Sequence, residues 1–160
     1  MGDIVRIHQM LGEHPFLGEL PESVLETLAG CASNCMFAAD SIIFRDGQPA
    51  QHFYLLRYGT VSLEIRSPGR EALLIDTLYD GDVLGWSWLL PPYRWNMDAH
   101  AMTVVRALAF DAACLRSKAE ADPALGYELY RRFVPVMGRR LMAARMQLAD
   151  LYARPVKACR

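Results

Sequence analysis

"FRDGQPAQHFYLLRYGTVSLEI", residues 44–65, decides the architecture of this chain. At its end Val61, Leu63 and Ile65 alternate with Ser62 and Glu64, the period of a strand with one buried and one wet face. Asp46-Gly47 and Tyr58-Gly59 punctuate the stretch as turns. Similar runs recur within it and on either side: "SIIF" from 41, "HFYLLR" from 52, "REALLIDTL" from 70, "DVLGW" from 82, "AHAMTVVR" from 99 and "ALAFD" from 107. Further turns fall at Pro68-Gly69 and Asp80-Gly81. Several short strands separated by glycine turns predict an antiparallel β-roll of the jelly-roll kind over residues 41–111.

Helical periods flank the roll. "DIVRIHQML" places Ile4, Ile7 and Leu11 on one face, and "PESVLETLAGCA" opens on Pro21 and carries Val24, Leu25 and Leu28 toward a stop at Gly30. After Asp111, Asp122-Pro123 should cap and open a helix, and Pro135 should bend it or begin another. The expected fold class is α+β: short N-terminal helices over 1–40, the roll, and long C-terminal helices over 112–153.

With 160 residues, 52% of them hydrophobic, the chain supplies one core and one domain spanning 1–160. A net charge of −1 removes whole-protein attraction to nucleic acid as an argument. Eight of the seventeen basic residues nevertheless lie between Arg131 and Arg160, where a solvated helix face is the ordinary explanation. No apolar run crosses a bilayer and "MGDIVRIHQM" lacks a leader pattern, so a cytoplasmic protein without membrane contact is expected. Cys31, Cys35, Cys114 and Cys159 are too few and scattered for a disulfide scaffold, and reduced thiols are expected. Cys31 and Cys35 could share a helix face, but no second Cys or His pair follows, so no metal site is expected. No nucleophile motif or phosphate loop argues for an enzyme.

Met137, Leu141, Ala144, Leu148 and Leu151 recur at spacings of 4, 3, 4 and 3, a heptad seam. Either it packs on its own domain or two copies form a homodimer through it. Arg140 and Arg145 flank the seam five residues apart, where two arginines would meet across a parallel pair.

The order of helices, glycine-turned roll and long helix resembles the cyclic-nucleotide-binding domain of catabolite-activator-type bacterial regulators. The likeness covers about residues 15–153. It is carried by the stretch quoted first, by "LYDGDVLGWSWLL" from 78, and by "DPALGYELYRRFVPVMGRRLMAARMQLADLYA" from 122. The resemblance implies a phosphate-binding cassette within 81–101, where a glutamate after the glycine holds the ribose and an arginine about ten residues on holds the cyclic phosphate. Here Gly85 stands in place, Trp86 takes the glutamate position, and Trp95 and Asn96 fall where arginine and its hydroxyl neighbour belong; Arg94 sits one residue early. On the closing helix, Ala143, Ala144 and Arg145 stand near hydroxyls that meet adenine in relatives.

All three tryptophans of the chain lie in "GWSWLLPPYRW", residues 85–95. The exchange predicts an aromatic pocket, with Gly85, Trp86, Ser87, Trp88, Arg94, Trp95, Asn96 and His100 as candidate ligand-binding residues and Tyr93 beside them. A flat or apolar ligand would be held by stacking and indole donors. The rival reading is a pocket filled by its own indoles. The resemblance therefore implies a stand-alone regulatory or sensor domain that does not take cyclic AMP in the usual way. Its alternatives are a genuine cyclic-nucleotide binder with a rebuilt clamp and a ligand-free subunit for a protein partner. Haem would need His100 as a ligand and ranks lower, because a lone histidine is more often a hydrogen-bonded wall residue. "ARPVKACR" after the long helix offers no recognition helix, so sequence-specific DNA binding is not expected.

Overall fold

Two four-stranded antiparallel sheets face each other in the computed structural model, which describes residues 2–153. Helices α1 (Gly2–Glu13) and α2 (Glu22–Ala29) lead into strands β1 (Ala32–Phe37), β2 (Ile42–Phe44), β3 (His52–Tyr58), β4 (Val61–Ile65), β5 (Leu73–Leu78), β6 (Val83–Leu84), β7 (Asp98–Ala101) and β8 (Val105–Asp111). Helices α3 (Ala112–Ala121) and α4 (Pro123–Ala153) close the described chain. One sheet runs β1-β8-β3-β6 and the other β2-β7-β4-β5. This is the β-roll with flanking helices that the alternation and turn glycines predict.

The roll begins earlier than residue 41. β1, "ASNCMF", has little apolar alternation and is a sheet edge held only by β8, from Ala32 opposite Phe110 to Phe37 opposite Val105. Pairing rather than pattern makes it a strand. Pro135 neither ends nor restarts the closing helix, because α4 runs through it for 31 residues. Its position is solvent-facing, where water can satisfy the carbonyl one turn back that has lost its amide partner.

Aromatic rings join the layers. Phe53 of β3 stacks on Phe110 of β8 at 4.5 Å and on Trp88 at 4.9 Å, while Phe133 of α4 meets Phe53 edge-on at 5.1 Å. Phe16 in the lead-in reaches Phe133 at 5.0 Å. Arginines add a second set of ties. Arg132 Nη1 donates to Phe16 O, Arg140 Nη2 to Val83 O, both at 2.7 Å, and Arg116 Nη1 to Trp88 O at 2.8 Å. The basic residues of the closing helices are thus partly structural tethers and not only a solvated face; Arg154, Lys157 and Arg160 lie outside the described residues.

The cysteines depart from expectation. Cys31 and Cys114 form a disulfide across 83 residues, joining the end of α2 to α3. Cys31 follows the helix and Cys35 sits in β1, so the two do not share a helix face. Burial pushes the Cys35 thiol up to about 11, which leaves little thiolate near neutrality. Cys159 is outside the described residues, and no metal-binding group of His, Cys, Asp or Glu occurs among those described.

His14 locks the lead-in onto the roll. Its Nε2–H donates to Leu56 O and its Nδ1 accepts the Phe16 amide, each at 3.2 Å. Burial is the main cause of a pKa below the ordinary 6.5; Arg57 acts in the same direction, while Leu56 O and Asp82 oppose it. The unfolded chain therefore takes up the proton first, so this contribution is intact above about pH 6.5 and is lost as pH falls below it. Thermal melts from pH 8 to 5.5 should show a decline beginning near 6.5 that is shallower in His14→Gln. Parallel wild-type and variant curves would remove His14 as a cause.

Candidate functional site

The inner face of the β4-β5 sheet and the flank of α4 enclose a cavity of about 490 Å³. Leu63 and Ile75 come from the strands, Trp86, Leu90 and Met97 from the segment between β6 and β7, and Val134, Met137, Leu141 and Ala144 from α4. Asp76 and Arg140 bring the charged groups to the wall. No single sequence stretch builds it: β4 supplies inward residues by alternation, and α4 supplies the helix face that lies on the roll.

The aromatic cassette does not act as a unit. Of the three tryptophans, Trp86 lines this cavity. Trp88 is fully buried within a single 3₁₀ turn, Ser87–Leu89, and packs into the Phe53–Phe110–Phe133 cluster. Trp95 is also buried and stacks flat on Phe44 with ring centres 3.7 Å apart, bordering a separate recess with Gln48, Gln51, His52 and Tyr54. Gly85 explains that placement. It has φ +92°, and a Cβ there would stand 2.5 Å from Trp95 Cη2, so glycine is what lets the ring lie against the backbone.

The remaining candidates scatter. Ser87 is buried and Asn96 exposed. Arg94 turns away from the cavity and donates from Nη1 to Gly47 O at 2.7 Å. Tyr93, with φ +56°, lies under the Arg116 guanidinium at 4.2 Å.

His100 points to the opposite side of the sheet. β4 and β7 set Ser62 against His100 and Glu64 against Asp98, so those four side chains share the outer face while Leu63 faces the cavity. His100 Nδ1 is 3.5 Å from Glu64, Ser62 donates to Glu64 at 2.7 Å, and Arg66 holds Glu64 and Asp98 at 3.1 and 3.0 Å. Burial acts to raise the Glu64 pKa, but Ser62, Arg66 and His100 together hold it below the usual carboxylate range. The expectation that this strand's polar side is wet, and that His100 borders the pocket, is corrected by this satisfied outer network.

Arg140 is the wall residue that the seam pattern conceals. Its side chain is 15% exposed, anchored on Val83 O, with Nε 3.8 Å from Asp76 Oδ2. Burial is the main cause of a pKa below the usual arginine range; Asp76 and Asp82 oppose it and Arg139 adds to it. Arg140 turns toward the roll, whereas Arg145 is exposed. Within the seam, Met137 and Ala144 are half-buried, whereas Leu141, Leu148 and Leu151 are 63%, 55% and 62% exposed.

Comparison with known proteins places this geometry. Residues 35–122 match the cyclic nucleotide-binding domain family, and the chain belongs to that family. It is 29% identical over 115 residues to the CRP-like cAMP-activated global transcriptional regulator of Mycobacterium tuberculosis, covering 72% of this chain and 50% of that protein. The chain thus spans about half the length of the curated relatives it matches first. A crystal structure of a putative cyclic nucleotide-binding protein from Geobacter metallireducens superposes with a TM-score of 0.75 at 27% identity, covering 83% and 96% of the two chains. The regulatory subunit of a cAMP-independent protein kinase A from Trypanosoma cruzi, bound to guanosine, superposes at 0.62 with 25% identity over 85% of this chain and 53% of that one. The fold is that of regulatory ligand-binding domains. Among the described residues, no helix is long and apolar enough to cross a membrane.

Proposed function

We propose that this domain is a sensor that takes a flat or apolar small molecule in the Trp86 cavity and does not hold cyclic AMP by the usual clamp. One observation carries the reading: the cavity's charged groups, Asp76 and Arg140, face each other, Arg94 is spent on Gly47 O, and Trp86, which the family resemblance puts in place of the ribose-binding glutamate, lines the cavity. A cyclic phosphate entering this wall would meet no arginine from the cassette. Each charge-assisted bond absent from such a site weakens binding by about 1.5–3 kcal/mol. The guanosine-bound relative supports a non-standard ligand on this roll.

Melting the protein in cyclic AMP and cyclic GMP tests this directly. A ligand at 100 times its dissociation constant stabilises by about 2.7 kcal/mol, so a conventional binder declares itself as a clear rise in melting temperature. No rise is expected, and nanomolar cyclic AMP binding would overturn the proposal. Native mass spectrometry of the protein as purified should reveal a co-purified molecule, lost in Trp86→Ala.

The same proposal includes a homodimer through α4. Leu141, Leu148 and Leu151 stay exposed at heptad spacing, with Arg140 drawn off into the roll. Sedimentation should give a dimer at micromolar concentration and a monomer for Leu148→Glu. A wild-type monomer there would end this part of the proposal.

A further inference from the structure

The sensor reading leaves the chemistry of the ligand open, and Arg140 narrows it. The cavity is bounded almost wholly by hydrocarbon and the Trp86 ring, with one guanidinium and one carboxylate in its wall. The two charges are not equivalent. Asp76 is 38% exposed and Arg140 15%, so the acid is the more readily hydrated of the two. Their separation of 3.8 Å is beyond hydrogen-bond reach. A guanidinium carries five N–H donors in a rigid fork, and the described contacts of Arg140 include one hydrogen bond, to Val83 O, which also fixes its orientation.

We infer that the ligand of this cavity is an apolar acid: a hydrocarbon or aromatic body lying along Trp86 and α4, with one carboxylate taken by Arg140 in place of Asp76. This rests on the cavity being the ligand site. Exchange replaces a loose contact with a partly exposed acid by a short, forked, charge-assisted pair in a largely apolar wall. A cationic ligand would have to take Asp76 and leave Arg140, the less exposed of the two charges, without its counter-ion in the wall. A neutral ligand fills the apolar wall and leaves Arg140 with Val83 O and the loose Asp76 contact, gaining nothing from the guanidinium.

Calorimetric titration of the full chain with decanoate, decanol and decylamine, each below its micelle threshold, separates these cases. Decanoate should bind about tenfold or more tighter than decanol, the gain of one charge-assisted bond, with decylamine weakest. Arg140→Met should abolish the preference for acid over alcohol. Asp76→Asn, which keeps the arginine and so guards against misfolding of the first variant, should tighten decanoate. Equal binding of acid and alcohol, or tightest binding of the amine, would overturn the head-group assignment and leave the apolar cavity standing. A cavity that ignores all three compounds and cyclic AMP alike would overturn the acid class alone. Tight cyclic AMP binding with no response to the decyl series would overturn both this inference and the sensor reading.

Discussion

Trp88→Ala should lower the stability of the domain by about 3–5 kcal/mol, the range for removing a buried aromatic, which is roughly 10 °C or more in melting temperature for a chain of this size. Trp88 is fully buried, and its ring packs on side chains from two elements, Phe53 in β3 and Phe133 in α4, with Phe53 stacking in turn on Phe110 in β8. Its carbonyl also receives Arg116 from α3, so the turn that carries the ring is fixed from both sides. Trp86→Ala, two residues away, removes a half-buried ring from a cavity wall and should cost far less. Melting of the two variants side by side checks the division of labour. Similar losses for both would mean that Trp86 is as structural as its neighbour.

The second large effect is redox-dependent. Closing an 83-residue separation with a crosslink removes chain entropy worth ~4 kcal/mol in the unfolded state. Reductant should therefore lower the melting temperature by roughly 10 °C, and Cys114→Ser should reproduce the shift without reductant. Cys35→Ser should leave it unchanged, because that thiol makes only a 3.5 Å contact to Ala107 O. Alkylation of the native, unreduced protein followed by mass spectrometry should find Cys31 and Cys114 unmodified. Labelling of both would show free thiols and sink this expectation.

The roll was legible because its signals are local. Alternation in β4 and glycines of positive φ at 47, 59, 69 and 81 need no knowledge of distant residues. β1 was not legible, since its identity comes from β8, some seventy residues away in sequence. The disulfide is hidden for the same reason: nothing in the neighbourhoods of Cys31 and Cys114 marks them as partners.

The candidate site shows the same limit more sharply. The clustering of three indoles draws the eye to residues 85–95, but local sequence does not say which way each ring turns. A 3₁₀ turn at 87–89 and left-handed backbone at Gly85 and Tyr93 send Trp86, Trp88 and Trp95 into three different environments. Leu63 was readable as buried and not as a cavity wall. The heptad makes Arg140 a flank of the seam, yet the face of α4 that carries Leu129, Phe133 and Val136 lies on the roll and takes the arginine with it.

The arginine tethers have a consequence for how such a domain tolerates change. Arg116, Arg132 and Arg140 each grip a main-chain oxygen, at Trp88, Phe16 and Val83. Every amino acid offers that oxygen, so whatever replaces Phe16 or Val83, the docking of the terminal helices keeps its acceptors. Loss of a tether is thereby one-sided: it follows from changing the donor, whereas changing Phe16, Val83 or Trp88 costs the packing of that side chain but leaves the acceptor in place.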